Sequence, residues 1–311
     1  MYIEQGYKGN LGLWKYLPFT VLFFGVSILG LIMVLLLNID LEAIMSAEIE
    51  RKGMNRFLIE QISQFALFLV LLFLWVKYAH KQSITSLTTS RKKVDWKRIL
   101  FSFGLWALVS IVMVMIGIYL APDDYVLNFN LKPFLILAAI GILLIPFQTS
   151  FEEYFFRAYL MQGIGLVAKN KWMPLFVTSI LFGLMHIANP EVGKLGYGIM
   201  VYYIGTGFLL GIMTLMDEGL ELALGFHASN NIITALLVTA DWTVFQTDSI
   251  YRDVSEPVLG WDVFIPVLVL YPLLLFIFSK KYGWTNWKDK LFGKVLSKEA
   301  LEEVASKNVQ L

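Results

Sequence analysis

The hydrophobic positions of the chain fall into long continuous runs separated by short polar stretches. A membrane-spanning helix needs about 20 mostly apolar residues, because the hydrocarbon core is about 30 Å thick and a helix rises about 1.5 Å per residue. The runs therefore predict about eight membrane-spanning helices. They cover approximately residues 17–39, 57–76, 99–120, 133–151, 172–188, 195–216, 222–240 and 263–279.

These runs predict helices, because they are continuously apolar and lack the alternation of period two that membrane barrels show. Lipid also offers the backbone no hydrogen-bond partner, so an open strand is excluded. The helical pattern of the fourth run continues to Gly163, and we expect one long helix kinked near Pro146. The sequence thus predicts an all-α polytopic membrane bundle over residues 1–283, followed by a cytoplasmic, partly amphipathic tail at 284–311 that suits the membrane interface.

Composition supports a membrane protein. The 311 residues are 58% hydrophobic and 16% charged, whereas a soluble domain is about 45–50% apolar and about 25% charged. No basic surface patterned for nucleic acid is present, so we expect no nucleic-acid partner. The absence of cysteine excludes disulfides and thiolate catalysis.

Lysine and arginine gather on the side of the membrane that holds both chain ends. Because these residues favour cytoplasmic loops, we expect a multi-pass protein of the cell membrane with both termini cytoplasmic. The basic residues between the second and third runs and in the tail are Lys77, Lys81, Arg91, Lys92, Lys93, Lys97, Arg98, Lys280, Lys281, Lys288, Lys290, Lys294, Lys298 and Lys307. Those of the opposite loops are Arg51, Lys52, Arg56, Lys132, Lys194 and Arg252.

Ionisable side chains are rare inside the predicted spans. Apart from Glu60, near the start of the second run, they belong to three motifs on the fifth run, the seventh run and the continuation of the fourth run. An ionisable group at membrane depth is costly, so its presence predicts a functional site. The motifs are Glu152-Glu153-x-x-x-Arg157, Phe182-x-x-x-His186 and His227-x-x-x-Asn231.

Helical spacing indicates which of these side chains face a common interior. Glu153 and Arg157 lie four residues apart in the favourable acid-before-base order, so we expect a charge pair. Adjacent residues differ by about 100° around a helix, which leaves Glu152 to face the bundle interior. The paired residues of the second and third motifs likewise share single faces. Three helices can thus direct a carboxylate, two imidazoles and an amide into one cavity.

These groups are the parts of peptide-bond hydrolysis by an activated water. Glu152 and His186 can hold and deprotonate the water. His227 and Asn231 can donate two hydrogen bonds to the oxyanion that then forms. Glu152, His186 and His227 are also a two-histidine, one-carboxylate set of the kind that binds zinc. The sequence does not decide whether a metal ion is bound. We favour a mechanism that requires no cofactor, because His227 and Asn231 are spaced so that both can donate hydrogen bonds to one oxyanion.

The order of the three motifs on successive hydrophobic segments resembles the CAAX protease and bacteriocin-processing (CPBP) family, which includes the type II CAAX prenyl endopeptidases. The similarity covers residues from about 133 to 240. It implies that Glu152 is the catalytic glutamate and that His186 helps to position the water. It also implies that His227 and Asn231 stabilise the oxyanion. The supporting residues that it implies are Glu153, Arg157 and Phe182.

The resemblance implies an intramembrane endopeptidase, a hydrolase that cleaves a peptide bond near the cytoplasmic membrane face in a cavity reached from the cytoplasmic leaflet. The expected partners are membrane lipids and a peptide or protein substrate, prenylated or otherwise membrane-associated. Family members have been described as metalloproteases and as metal-independent glutamate proteases, so zinc stays open. A non-catalytic scaffold or bacteriocin-immunity protein is the alternative. A proton-coupled transporter is disfavoured, since the sequence has no repeated half.

Overall fold

The computed structural model of the chain describes residues 1–10, 12–301 and 303. The end of the predicted tail, residues 304–311 with Lys307, lies outside the described residues. The α-helices are α1 (Leu13–Leu36), α2 (Leu41–Lys52), α3 (Met54–Tyr78), α4 (Ile84–Thr88), α5 (Trp96–Leu120), α6 (Leu131–Leu143), α7 (Ile145–Glu153), α8 (Met161–Ala168), α9 (Trp172–Leu184), α10 (Pro190–Leu195), α11 (Met200–Asp217), α12 (Glu221–Leu237), α13 (Trp261–Ile265), α14 (Tyr271–Tyr282) and α15 (Trp287–Phe292). Three short strands are β1 (Tyr125–Leu127), β2 (Val238–Ala240) and β3 (Tyr251–Asp253). The 3₁₀-helices are Ile3–Lys8, Pro122–Asp124 and Tyr197–Ile199, and the π-helices are Tyr154–Leu160 and Pro266–Leu270.

Six helical stretches of the described chain are long and apolar enough to cross a membrane. They are Trp14–Leu36, Met54–Tyr78, Trp96–Leu120, Leu131–Ala168, Tyr197–Asp217 and Trp261–Tyr282. The predicted all-α polytopic bundle is confirmed, but the count of eight spans is not. The fifth and seventh predicted spans form α9, with 13 residues, and α12, with 17. Helices of these lengths extend about 20 and 26 Å, less than the hydrocarbon thickness of about 30 Å.

The fourth span, Leu131–Ala168, is a helical stretch of 38 residues that changes geometry at two places. It is interrupted at Leu144, two residues before Pro146, where the sequence predicts a kink. Directly after Glu153 it becomes a π-helix over Tyr154–Leu160 and then continues as α8. π-Helical turns are rare in proteins, and many of those that occur lie at functional sites. This one begins inside the first motif.

The first motif lies at the centre of the bundle. From Phe151 to Leu160 every side chain is buried except Glu152, which is partly exposed. Aromatic rings from α1 pack against this segment; the rings of Phe23 and Phe151 lie 5.2 Å apart. The other side of α7 contacts α12. Glu152 is thus the one side chain of this stretch that is not fully buried.

Close helix packing brings the second and third motifs to the same place. α11 crosses α9 so tightly that an added Cβ at Gly207 would meet the Ser179 carbonyl oxygen at 2.5 Å. α12 packs along α5, where an added Cβ at Gly225 would collide with the Ile99 carbonyl. A larger residue at either glycine would push the helices apart, so these contacts set the positions of α9 and α12 around α7.

The connections between helices meet at two opposite ends of the bundle. The basic end comprises residues 77–98, 168–172, 217–221 and 279–298. Its segments are joined by backbone bridges between Thr89 and Gly219 and between Asn170 and Lys294. Trp284, Leu291 and Val295 of the predicted tail are buried in the main core, so the described part of the tail folds back onto this end.

The sheet end comprises residues 37–53, 121–130, 185–196 and 238–260. Here the three strands form one sheet in the order β1-β3-β2, in which β1 pairs antiparallel and β2 pairs parallel with β3. Lys194 and Glu42 form an ion pair at 2.9 Å, which joins α10 to α2. The sheet end therefore closes the bundle on the side away from the basic end.

Candidate active site

A cavity of about 560 Å³ lies between α3, α7, α9, α11 and α12. Its walls include all four residues for which the sequence predicts a catalytic role: Glu152, His186, His227 and Asn231. Phe182 also lines it. Glu153 and Arg157 do not line the cavity; both side chains are fully buried behind its wall.

Glu152 has one anchored oxygen and one free oxygen. Its Oε1 accepts a hydrogen bond of 2.7 Å from Gln148 Nε2. Its Oε2 lies 3.4 Å from His227 Nε2 and accepts no hydrogen bond from a described protein group. A carboxylate held by one oxygen in this way keeps the other available for a water or a substrate group.

His227 lies between the two glutamates. Its Nδ1 is 2.8 Å from Glu153 Oε1, and its Nε2 faces Glu152. An ionised carboxylate only accepts hydrogen bonds, so Nδ1 carries the proton in the neutral ring and Nε2 presents a lone pair. The structure thus brings Glu152 into direct contact with His227, whereas no hydrogen bond joins Glu152 to His186 in the described residues.

Glu153 and Arg157 form the expected charge pair, with Arg157 Nη1 3.2 Å from Glu153 Oε1. The Arg157 Nη2 donates to the Gly207 carbonyl at 3.3 Å, and the guanidinium lies 4.0 Å over the ring of Phe182. Arginine suits this place, because a planar guanidinium can stack on an aromatic ring and pair with a carboxylate at once. The pair compensates the buried charge of the glutamate that holds His227.

His186 is oriented from both faces of its ring. Its Nδ1 lies 2.9 Å from the Phe182 carbonyl, which can only accept, so Nδ1 is the donor and Nε2 is left free. One face stacks on Tyr203 at a centroid distance of 4.4 Å and an angle of 18°. The Phe182 ring lies 5.0 Å away, beside His186 as the resemblance implies.

Asn231 is connected to Glu152 through Gln148. Asn231 Nδ2 donates to Gln148 Oε1 at 3.0 Å, and the amide of Gln148 donates in turn to Glu152. Asn231 Oδ1 accepts from Asn230 Nδ2 at 3.2 Å, which fixes the orientation of the amide. Gln148 was not among the residues predicted from the motifs, although its place one helical turn before Glu152, at membrane depth, was a usable signal.

Glu191 and Tyr203 are two further site residues that the motifs did not predict. The Tyr203 hydroxyl donates to Glu191 Oε1 at 2.5 Å, and Glu191 also accepts from Asn189 Nδ2 and the Val244 amide, both at 3.0 Å. Glu191 therefore holds the tyrosine that stacks on His186. These residues come from α10 and α11 and form no motif along the chain, so spacing alone could not reveal them.

The predicted zinc set of Glu152, His186 and His227 requires three donors that converge within about 2.0–2.2 Å of one point. Each histidine has the Nδ1 acceptor that a metal ligand needs, Phe182 O for His186 and Glu153 for His227. However, no three His, Asp or Glu side chains in the part of the chain that the structure describes are arranged to hold a metal ion. The residues as placed do not fit zinc, and the mechanism below does not pass through a metal.

The cavity extends toward the sheet end. Its outer walls come from Asn189, Glu191, β2 and the loop from Trp242 to Phe245, and none of its described lining residues comes from the basic end. The expectations that both termini are cytoplasmic and that the cavity is reached from the cytoplasmic leaflet stay predictions.

Comparison with known proteins agrees with the motifs. Residues 131–233, which contain all three motifs, match the family model described as "Type II CAAX prenyl endopeptidase Rce1-like". The chain is 29% identical over 272 residues to an uncharacterized protein, YyaK, of Bacillus subtilis (strain 168), with 84% of this chain and 90% of that protein covered. No solved structure matches the chain. The resemblance to the CAAX protease and bacteriocin-processing family is thereby confirmed, and the chain is an integral membrane protein with an Rce1-like region at residues 131–233.

Proposed function

We propose that this protein is an intramembrane endopeptidase, a hydrolase of the CAAX protease type that cleaves a peptide bond with an activated water. The observation that carries the proposal is the free Oε2 of Glu152, which lies beside His227 in a cavity that His186 and Asn231 also line. The match to the Rce1-like family supports the same reaction class.

The first step is activation of the water. A water that donates one hydrogen to Glu152 Oε2 and the other to the free Nε2 of His186 keeps its lone pairs for attack on a carbonyl carbon. Glu152 accepts the proton as the water attacks, and the peptide carbonyl becomes a tetrahedral oxyanion. His186 acts by orientation, because its Nδ1 is committed to the Phe182 carbonyl.

The second step is stabilisation of the oxyanion. In this mechanism His227 takes up a second proton from water before the attack, and its Nε2, which lies between the carboxylates of Glu152 and Glu153 with the rest of the ring, then donates to the oxyanion. The Nδ2 group of Asn231 has two hydrogens, of which one is used by Gln148. The other hydrogen is available to the oxyanion, so two donors on one face of α12 serve it.

The final step is release of the amine. Glu152 gives its newly acquired proton to the leaving nitrogen, the carbon–nitrogen bond breaks, and the oxyanion collapses to a new carboxyl group. One water is consumed, and no covalent enzyme intermediate forms. The substrate is a peptide or protein segment that reaches the cavity within the membrane.

The proposal is tested by mapping new peptide termini in membranes that contain the wild-type protein or the Glu152→Gln variant. Substitution with glutamine keeps the hydrogen bond to Gln148 but removes the general base. Termini that depend on the protein should disappear with Glu152→Gln and persist with the control Glu60→Gln, which removes an exposed carboxylate of α3. Equal cleavage by the folded Glu152→Gln variant would refute the proposal. A biological function that Glu152→Gln retains without cleavage would indicate a scaffold.

A further inference from the structure

We infer that Trp106 is a positioning residue of the proposed reaction, because it determines which oxygen of Glu152 carries the proton taken from the water. The inference rests on the proposed function and deepens it, since it assigns control of proton delivery at the same site. Trp106 lies on α5 and is not among the described residues that line the cavity. It acts on Glu152 through a series of hydrogen bonds.

The series runs through three amide side chains, Asn230, Asn231 and Gln148, which we call the amide relay. Trp106 Nε1 donates to Asn230 Oδ1 at 3.0 Å, and Asn230 Nδ2 donates to Asn231 Oδ1 at 3.2 Å. Asn231 Nδ2 donates to Gln148 Oε1 at 3.0 Å, and Gln148 Nε2 donates to Glu152 Oε1 at 2.7 Å. Every amide oxygen thus accepts from the side of Trp106, and every amide nitrogen donates toward Glu152.

The two ends of the series fix this direction. An indole N–H can only donate, and an ionised carboxylate can only accept. Reversed amides would place two donors together at Trp106 and two acceptors together at Glu152. The Tyr202 hydroxyl, 3.5 Å from Asn230 Oδ1, can donate or accept, so it does not impose a direction.

Packing holds the indole at its end of the relay. Trp106 is 5% exposed, and the centroid of its ring lies 4.5 Å from that of Phe226 and 5.7 Å from that of Tyr271. α12, which carries Asn230, packs closely along α5, where an added Cβ at Gly225 would meet the Ile99 carbonyl. The donor is therefore fixed relative to the amide that accepts from it.

The direction of the relay matters once Glu152 has taken a proton from the water. A protonated carboxyl group can donate as well as accept, so the Glu152 end no longer fixes the direction, whereas Trp106 remains a donor only. Trp106 keeps Gln148 donating to Oε1, and the proton therefore stays on Oε2. Oε2 has no other described partner, and from it the proton passes to the leaving nitrogen as the carbon–nitrogen bond breaks.

Without the indole donor the relay can reverse after this proton transfer. The proton would then lie on Oε1 of Glu152 and be donated to Gln148 Oε1, and Gln148 Nε2 would turn toward Asn231 Oδ1. The leaving nitrogen would lose its proton donor. Activation of the water precedes this state, so loss of the indole N–H should slow release of the amine and leave the attack unaffected.

The test compares two substrates that differ in their need for that proton. One is a synthetic peptide that spans a cleavage site mapped as described above. The other is the acyl half of this peptide as a 4-nitrophenyl ester, whose phenolate leaves without a proton. Trp106→Phe removes the indole N–H and keeps an aromatic ring. The matched control is Trp75→Phe, which removes an indole N–H that donates to the Lys15 carbonyl at 2.9 Å.

We expect Trp106→Phe to lower kcat for the peptide about three- to tenfold, as for one lost hydrogen bond, and to leave KM unchanged. Its kcat for the ester should equal that of the wild type, because the phenolate needs no proton. Trp75→Phe should cleave both substrates at the wild-type rate. Gln148→Leu interrupts the same relay, so adding Trp106→Phe to it should lower kcat no further. If Trp106→Phe does not fold, Asn230→Leu interrupts the relay one residue later and should give the same pattern.

Three results would overturn the inference and leave the proposed function intact, provided that Glu152→Gln does not cleave. The first is peptide cleavage by folded Trp106→Phe at the wild-type rate. The second is an equal loss for peptide and ester, or an equal loss in Trp75→Phe, which would reduce Trp106 to a structural role. The third is losses that multiply when Trp106→Phe and Gln148→Leu are combined, which would show that the two residues act separately. Cleavage by Glu152→Gln at the wild-type rate would instead refute the proposed function.

Discussion

The role of Glu153 leads to a prediction in which stability and activity separate. Its carboxylate is shared by two cations in the proposed mechanism, Arg157 at 3.2 Å and the ring of His227 at 2.8 Å. Glu153→Gln removes the negative charge but keeps the size of the side chain. It should weaken both the fold and the reaction, for different reasons.

The effect on stability comes from Arg157. Both members of the pair are completely buried, so Glu153→Gln leaves a guanidinium without a compensating charge. Removal of one partner of a buried ion pair costs about 3–5 kcal/mol, whereas removal of both is often neutral. Adding Arg157→Met removes the unpaired guanidinium and keeps an unbranched side chain beside Gly207. The double variant should therefore recover most of the lost stability.

The effect on activity comes from His227. A hydrogen bond to a charged group contributes about 1.5–3 kcal/mol, so loss of the carboxylate behind the imidazolium should lower kcat/KM about 10- to 150-fold. Arg157→Met does not restore that carboxylate. The double variant should thus be nearly as stable as the wild type and as inactive as Glu153→Gln alone.

The assay is thermal unfolding in detergent combined with cleavage of one substrate, measured for the wild type, both single variants and the double variant. Recovery of stability without recovery of kcat/KM supports the positioning role of Glu153. Recovery of both would refute it, because Glu153 would then act only by neutralising Arg157.

Three further outcomes are expected. Gln148→Leu should lower kcat/KM about tenfold while the protein stays folded, since the link between Glu152 and Asn231 is lost; unchanged kinetics would show that this link has no role. Tyr203→Ala should lower kcat more than Tyr203→Phe does, because phenylalanine keeps the stack on His186 and loses only the hydroxyl's hydrogen bonds to Glu191 and Asn189; equal losses would contradict the stacking argument. Treatment of the purified protein with the zinc chelator 1,10-phenanthroline should leave the cleavage rate unchanged within about twofold, because the side chains of Glu152, His186 and His227 do not converge on one metal position. A loss of activity that added zinc restores would show that these side chains bind zinc in the working enzyme.

Much of the fold follows from hydropathy, and the predicted spans differ from the structure mainly at two short helices. Six spans agree with the runs to within a few residues, except that the fourth extends well past its predicted end at 151 to Ala168. α9 and α12 were predicted as full spans because they are apolar, but both helices are shorter than a span. α12 is mostly buried inside the bundle, and hydropathy cannot distinguish contact with protein from contact with lipid. α9 keeps an exposed apolar face that includes Phe176, Ile180 and Leu184, so only its length differs from the prediction.

The motifs predicted which side chains meet but not all of their partners. Spacing four residues apart correctly paired Glu153 with Arg157. It also suggested that Glu152 and Glu153 serve separate places, whereas His227 contacts both of them through its two ring nitrogens. A bridge of this kind depends on how α12 packs against α7, and the spacing of residues within one helix does not contain that information.

The direction of the cavity was beyond the sequence for a similar reason. Motifs locate Glu152 along its helix, near the middle of a 38-residue stretch, without saying which end its cavity reaches. That depends on the packed structure, in which Phe156 and Phe182 line one side of the cavity and the loop from Trp242 to Phe245 lines the other.

The rate at which the purified, reconstituted Glu152→Gln variant cleaves a substrate of the wild-type protein is the most direct test of the account. Loss of a general base lowers a rate by about 10²- to 10⁴-fold, and we predict a loss in this range with the unfolding temperature unchanged. A folded Glu152→Gln variant that cleaves as fast as the wild type would contradict the central claim that this carboxylate activates the water.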